Sequence, residues 1–349
     1  MSLMSKKMVN GAVALGCILF AAPVMAHEAL NEYVLDPMMV TAARYEKRDV
    51  DIPAATEIYD QEKIEKLGAN NVMEIVKNIP GFTLTASPTG NTYIGFRGIS
   101  KDNVAILING IPLNQDGNYD LESISSDIID RIEVVKGGAT VLYGSNASAG
   151  VINIITNKKA AKNKVLIGFG DKNKFKGAVN VATDKLQLSY SRQQSKDRGF
   201  VYKNSGASNY YTGDKLEKDS LNLQYAFSDN LSLQYMYSKK ASDCSKSVNG
   251  VYQPGFHSDI KYNFGQLRYV NDDLQATVFF RNRDWKFNTS THQKGHNYGA
   301  DLQDKFQLGK TELTVGANYE NENTKNNTNV EAAKRQRRSI LYDGNRGIR

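Results

Sequence analysis

Apolar and polar residues alternate along much of the chain after Lys158. In LNLQYAF (221–227) every large apolar residue stands at an odd position, and LSLQYMY (231–237) nearly repeats the pattern. Similar alternation recurs at 186–190, 274–280 and 313–319. A period of two gives a strand one apolar and one polar face. The second part of the chain is therefore predicted to consist of antiparallel β-strands.

Two kinds of connection separate these predicted strands. Short turn sequences and long polar stretches alternate along the chain, the former at 171–173, 228–230 and 271–273, the latter at 193–218, 239–258 and 288–296. Short turns at one end and long loops at the other are typical of an outer-membrane β-barrel. The chain has 19 tyrosines and one tryptophan, and tyrosine suits the membrane interface. A soluble β-sandwich, whose apolar face is covered by a second sheet, is the alternative.

The length of this part limits the size of the barrel. At roughly 20 residues for each strand and its connection, residues 159–349 predict about nine or ten strands. An incomplete barrel leaves an unpaired edge, which hydrocarbon does not tolerate. The last residues, YDGNRGIR, also lack the terminal aromatic residue usual in such barrels. We therefore expect the N-terminal part of a longer protein.

The residues before Lys158 show a different pattern, typical of a small α+β domain. The apolar spacing in 61–78 predicts two short helices, and the sequence Ile79-Pro80-Gly81 ends the second one, because proline lacks an N–H donor. Short β-branched runs then predict four strands, at 92–96, 104–108, 131–135 and 150–156.

The first residues have the pattern of a secretory signal peptide. Lys6 and Lys7 precede an apolar run that ends near Ala22, and Ala26 follows as a small residue suited to cleavage. This predicts a signal peptide at 1–26 and export from the cytoplasm. The alternatives are a membrane anchor, for which the run is short, and a lipoprotein processed at Cys17.

The charge and motif content exclude several classes of protein. The formal net charge of +7 is modest for 349 residues, and the basic run 334–338 is interpreted as a solvated loop, so nucleic-acid binding is not expected. No nucleophile elbow or phosphate-binding loop occurs, so we expect no enzyme and no cofactor. His292 and His296 have the spacing of metal ligands, but a surface loop is the preferred interpretation, and no metal site is predicted.

Four ordered blocks before Lys158 resemble the plug domain of TonB-dependent outer-membrane receptors. They are IVKNIPGF (75–82), GFRGIS (95–100), VAILINGIPLN (104–114) and RIEVVKGGATVLYGSNASAGVINIIT (131–156). The matching residues are Arg97, Gly98, Arg131, Glu133, Lys136, Gly137, Tyr143, Gly144, Gly150 and Asn153. The chain departs from the family pattern at Gly138, where proline is usual, and at Ala149, where glycine is frequent.

The resemblance implies an organisation and a fold. The organisation is a signal peptide (1–26), a periplasmic leader (27–43), a plug domain (44–158) and the first part of a barrel (159–349). The fold is an α+β plug domain followed by antiparallel transmembrane β-barrel strands that form a partial barrel. The resemblance also implies that Arg97, Arg131 and Glu133 pair with partners on the barrel wall.

The sequence DPMMVTA in the leader resembles a TonB box. Its residues are Asp36, Pro37, Met38, Met39, Val40, Thr41 and Ala42. Pro37 disfavours helix, and Val40 and Thr41 favour an extended backbone. An extended peptide can add as a strand to the edge of a partner's sheet. The implied partner is TonB with its inner-membrane ExbB/ExbD complex.

The family resemblance implies uptake of a scarce, large nutrient, either a ferric siderophore or cobalamin, across the outer membrane. The residues expected to face the ligand are polar or aromatic and lie in two loops: Ser87, Thr89, Asn91, Tyr93, Asn114, Asp116, Asn118 and Tyr119. Outer-membrane lipid is the expected surrounding of the barrel. A soluble periplasmic binding module and a non-functional receptor remnant are the alternatives.

Overall fold

The computed structural model of the chain describes most residues after 55. The described residues are 38–39, 47–48, 56–86, 92–99, 103–113, 120–137, 147–156, 163–171, 173–196, 201–203, 209–248, 251–288, 291–309, 311–326 and 333–346. The predicted signal peptide and five TonB-box residues (Asp36, Pro37, Val40, Thr41 and Ala42) lie outside them. Within the described part, no helix is long and apolar enough to cross a membrane.

Two short helices stand where the apolar spacing predicted them. Helix α1 is Gln61–Lys66 and helix α2 is Val72–Val76. Each begins with a side chain that accepts a backbone N–H, since Asp60 accepts from Lys63 at 2.9 Å and Asn71 accepts from Glu74 at 2.9 Å. Such caps satisfy N–H groups that have no partner within the helix.

Nine short strands accompany these helices, two of them ahead of the small domain formed by residues 56–156. They are β1 Met38–Met39, β2 Lys47–Arg48, β3 Thr56–Tyr59, β4 Phe82–Ala86, β5 Thr92–Phe96, β6 Val104–Ile108, β7 Ile111–Pro112, β8 Ile129–Lys136 and β9 Gly150–Thr156. Strands β3-β8-β9-β6-β7 form one sheet in that order, with β6 and β9 parallel. All five residues of β6 are buried, and the apolar side chains of α2 join the same core.

A large antiparallel sheet follows the small domain. Its strands are β10 Lys164–Gly170, β11 Lys174–Ala182, β12 Leu186–Ser195, β13 Val201–Lys203, β14 Asn209–Ala226, β15 Leu231–Val248, β16 Val251–Val270, β17 Leu274–Phe287, β18 Thr291–Leu308, β19 Thr311–Asn326 and β20 Ala333–Arg346. Ten of them form a continuous path from β10 to β20, and β13 pairs with β14 beside it. The described residues thus give the predicted partial barrel, because β10 and β20 are not paired with each other.

All three stretches predicted as long loops lie largely in strands. In the stretch 193–218, residues 209–218 belong to β14. The polar stretch 239–258 forms the ends of β15 and β16, and most of 288–296 belongs to β18. The backbone ladder continues where the side chains cease to alternate, because strand pairing depends on N–H and C=O groups rather than on apolar residues. His292 and His296 therefore lie on a strand, next to Asp284 and Asn282 at 2.9 and 3.1 Å.

The large sheet buries polar side chains and exposes apolar ones. On β14, Lys218, Ser220 and Asn222 are buried, whereas Leu221 and Leu223, at alternate positions, lie on the outer face. Further outer-face residues include Phe169, which is 82% exposed. A soluble sandwich would cover such a face with a second sheet, and no second sheet covers it among the described residues. The pattern is that of a lipid-facing barrel wall.

Gly150 lies where two backbones approach each other closely. A Cβ atom at this position would stand 2.8 Å from the carbonyl oxygen of Val135 on the neighbouring strand. We expect Gly150→Ala to destabilise the small domain by about 1–3 kcal/mol, because the β8–β9 ladder must shift. Gly168→Ala is the control, since its nearest atom would lie at 3.9 Å. Urea denaturation of both variants measures the effect, and equal stability would contradict it.

Candidate functional site: the contact between the small domain and the large sheet

The side chain of Asp120 is held by two neighbouring strands of the large sheet. It is the last residue of 114–120, the second loop predicted to face a ligand. Lys218 of β14 places its Nζ 2.8 Å from Oδ1, and the Ser238 hydroxyl of β15 donates to Oδ2 at 3.0 Å. The side chains of Asp120 and Lys218 are only 4% and 3% exposed. Glu122 approaches the same lysine at 3.4 Å.

The surroundings keep Asp120 ionised at neutral pH. Burial raises the pKa of this carboxyl group, but the positive charges of Lys218 and Lys240 and the two hydrogen bonds lower it by more, so the net pKa lies below its usual range. Lys240 of β15 is also buried. A buried ion pair of this kind holds Asp120 and Lys218 firmly together, because removing one partner leaves an uncompensated buried charge.

Weaker polar contacts surround this ion pair and join further strands to the small domain. The Asn222 amide donates to the Ser123 carbonyl at 3.3 Å, and the Gln187 amide donates to the Asp127 carbonyl at 2.9 Å. Two partly exposed ion pairs, Lys164–Asp127 at 3.0 Å and Lys176–Glu74 at 3.6 Å, lie on β10 and β11. Acidic groups on the small domain thus meet lysines on the large sheet.

The opposite end of the contact is formed by amides. Asn109, in the turn after β6, donates to Thr156 at 2.9 Å and to Gln234 of β15 at 3.1 Å. Gln266 of β16 donates to the same Gln234 oxygen at 2.5 Å. These residues line an opening with a volume of about 870 Å³ at the short-turn end of the sheet. At this end, neutral amides make the contacts between the small domain and the large sheet.

A third group of contacts is formed by β15–β19. Arg281 of β17 donates to the carbonyl of Pro112 and forms an ion pair with Glu320 of β19. Three apolar side chains of the large sheet, Met236, Phe264 and Phe279, belong to the core cluster of the small domain. The interface is therefore mostly polar, with one apolar contact region.

The charged residues of the motif blocks pair differently from what the resemblance implied. Arg131 binds Asp130 at 2.6 Å and the fully buried Glu133 at 2.9 Å, all on β8. Arg97 is exposed, with φ of 48°, and its guanidinium lies 5.0 Å from the Phe96 ring centroid. The prediction that Arg131 pairs with the barrel wall is thus wrong for its described ion pairs. Both carboxylates come from β8, the strand that carries Arg131.

The other described motif residues shape the small domain. Gly98 and Gly137 adopt φ of 79° and 130°, which favours glycine. Lys136 forms an ion pair with Glu57 of β3, and the buried Asn153 accepts the Gly110 N–H at 3.0 Å. Tyr143 and Gly144 lie outside the described residues. These residues stay predictions as functional sites.

Most residues expected to face a ligand also lie outside the described part: Ser87, Thr89, Asn91, Asn114, Asp116, Asn118 and Tyr119. Tyr93 is described and is half-buried on β5. Sequence reasoning placed Asp120 at the end of the second predicted ligand-facing loop but did not single out Lys218, Ser238 or Lys240. The available signal was their spacing, because Lys218 continues the inward series of Ser220 and Asn222. Among the described residues, no group of histidine, cysteine and carboxylate side chains is arranged to hold a metal ion.

The comparisons with known proteins match this architecture. The family model "TonB-dependent Receptor Plug Domain" matches residues 48–151. A curated relative, the vitamin B12 transporter BtuB of Vibrio vulnificus (strain CMCP6), is 28% identical over 228 residues, which are 64% of this chain and 36% of the relative. The chain thus spans about a third of that relative's length.

Solved structures share the fold. The FpvAI–pyocin S2 complex aligns with a TM-score of 0.55 and 16% identity, over 84% of this chain and 46% of the other. The ferripyoverdine receptor of the outer membrane of Pseudomonas aeruginosa aligns with a TM-score of 0.53 and 15% identity, over 86% and 47%. Residues 48–151 thus match the plug domain of TonB-dependent receptors, and the relative and the shared fold support the same family for the chain.

Proposed function

We propose that this chain supplies the plug and part of the barrel wall of an outer-membrane receptor for a scarce, large nutrient. The observation that carries the proposal is the reversed polarity of the large sheet, with polar residues toward the plug and apolar residues outward. Such a wall suits lipid on one side and a hydrated, movable plug on the other. The plug then extends over 44–158 and the wall over 159–349, after a leader at 27–43.

The ligand is cobalamin or a ferric siderophore. The relative named a vitamin B12 transporter supports the first, and the solved receptor for ferripyoverdine supports the second through its fold alone. The ligand-facing residues are those predicted in the two plug loops. Asp120 anchors the end of the second loop on the wall, so a ligand contact there is coupled mechanically to Lys218.

Energy comes from TonB and the ExbB/ExbD complex through the TonB box. Met38–Met39 is extended and pairs with Lys47–Arg48, which supports a segment able to form a strand with a partner. Pulling on it moves the plug against a mostly polar interface, where water replaces the broken hydrogen bonds.

Two binding measurements on the full chain in detergent test the proposal. Equilibrium binding is measured with cyanocobalamin and with ferric pyoverdine, and retention on the immobilised periplasmic domain of TonB is measured with and without each compound. Val40→Pro is expected to lose TonB retention, because it removes a main-chain donor, while keeping ligand binding. Binding of neither compound, or full TonB retention by Val40→Pro, would contradict the proposal.

A further inference from the structure

A row of charged residues crosses the outer face of the wall. Consecutive members stand directly opposite each other on neighbouring strands from β12 to β18: Arg192, Asp219, Lys239, Lys261, Asp284 and Lys294. We call this set the charged row. Lys239 and Lys261 are exposed, whereas their strand neighbours Lys240 and Ile260 are buried, so both lysines lie on the outer face.

The charged row lies just beyond the apolar band at its β12–β15 end. On these strands, the next outward-facing residues toward the apolar band are Tyr190, Leu221 and Tyr237, which are also in register with each other. Tyrosines at the edge of an apolar band mark the level of the lipid headgroups. The segment that joins β12 to β14, which includes β13, is at the same end of the wall and is longer than the turns at the opposite end, such as 183–185 and 271–273. That end faces outside in barrels of this kind.

The carboxylates on either side of the two lysines are already engaged elsewhere. Asp219 accepts from Arg192 at 2.9 and 3.1 Å and from the Tyr190 hydroxyl at 2.8 Å. Asp284 lies 2.9 Å from His292 and 4.0 Å from Lys294. Both carboxylates therefore pair with residues outside the central two positions of the row.

The next acidic residues along β15 and β16 are engaged as well. Asp243 and Asp259 lie 2.6 and 3.0 Å from the two ring nitrogens of His257. Among the described residues, no carboxylate lies within ion-pair distance of Lys239 or Lys261. Two like charges directly opposite each other on neighbouring strands are destabilising, so this pair lacks the counter-charge that every other member of the row has.

We propose that Lys239 and Lys261 together bind the phosphate of a phosphorylated lipid in the outer leaflet. Side chains directly opposite on antiparallel strands lie close enough for one phosphate to accept hydrogen bonds from both ammonium groups. Basic residues next to an apolar span are attracted to anionic headgroups. The inference rests on the outer-membrane location proposed above, because only there do the lysines meet such a lipid.

Thermal unfolding of the full chain in detergent tests this site. The midpoint is measured with no addition, with diphosphorylated lipid A, with its dephosphorylated form and with inorganic phosphate. The variants are Lys239→Gln/Lys261→Gln and, as a control, Lys185→Gln, an exposed lysine in a turn at the opposite end of the wall. Insertion into phosphatidylcholine vesicles is measured separately, so that failure of the proposed location is distinguished from failure of the lysine site.

Diphosphorylated lipid A is expected to raise the midpoint of the wild-type chain and of Lys185→Gln, but not that of the double variant. Without lipid, the double variant is expected to be at least as stable as the wild type, because the repulsion is gone. An equal rise in all three proteins would overturn the proposal. So would an equal rise of the wild type with dephosphorylated lipid A, or with inorganic phosphate, which would show a site for free anions.

Discussion

Replacing Lys218 with methionine is expected to cost about 3–5 kcal/mol of the local stability of the plug around Asp120, because a buried carboxylate loses its closest counter-charge. The ion pair is short and nearly inaccessible to water. The measurement is amide hydrogen exchange at Ser123 and Ile124, which follow Asp120 and are buried. Faster exchange there, with unchanged exchange in β6, is the expected result.

Lys164→Met is the matched control for this variant. Its partner Asp127 also belongs to the plug, at 3.0 Å, but Lys164 is 42% exposed. Solvent screening limits such a pair to about 1 kcal/mol or less. If Lys218→Met and Lys164→Met change exchange equally, the buried ion pair does not anchor the plug as described.

Acid provides a second measurement on the same ion pair. Because the pKa of Asp120 is lowered in the folded chain, its stabilising contribution is fully present above the ordinary value of about 3.9. That contribution is lost as the pH falls through the lowered pKa. The wild-type ion pair is therefore expected to hold down to about pH 4. In Lys218→Met, less positive charge opposes the increase in the pKa of Asp120 that burial causes. Protection of the Ser123 and Ile124 amides from exchange is therefore expected to be lost at a higher pH than in the wild type.

Replacing Val278 with arginine is expected to destabilise the wall in lipid by about 2–4 kcal/mol, the cost of a cation near the middle of a bilayer. Val278 is 54% exposed on β17, within the outer apolar band. Denaturant unfolding from phosphatidylcholine vesicles measures the loss. Asn282→Arg is the control, since it lies four residues further along the same face, beyond Phe280, where the expected cost is near zero.

This comparison also separates a membrane wall from a soluble protein. On a water-exposed surface, Val278→Arg would have little effect, because an arginine there stays hydrated. Equal stability of the two variants in vesicles would therefore contradict the proposed membrane location. A loss confined to Val278→Arg would support it.

The alternation of side chains predicted the parts of the fold that depend on local pattern. Residues 221–226 and 274–280 lie in strands with alternate apolar side chains, such as Leu221 and Val278, outward, because a period of two fixes which residues share a face. The glycine-rich block from Arg131 to Thr156 was placed correctly at its two ends, as β8 and β9. Both ends are β-branched runs, which favour strands.

The rest depended on pairing between distant segments. Nothing local distinguishes the polar residues that end β15 from a loop, because the hydrogen bonds that make them a strand come from β16. Asp120 and Lys218 are 98 residues apart, and their meeting depends on how the plug sits against β14. The pairing of Arg131 within its own strand was missed for a related reason, since the family pattern names residues and not their partners.

The length of the wall strands has a consequence for how a solute enters. Strand β15 has 18 residues, which at about 3.4 Å per residue makes it about 60 Å long. Tilted by about 45°, it rises about 40 Å, whereas the apolar band of an outer-membrane barrel is about 25 Å tall. In the membrane location proposed above, the excess extends beyond the apolar band into water. A solute approaching from that side meets the ends of the wall strands before it reaches the plug.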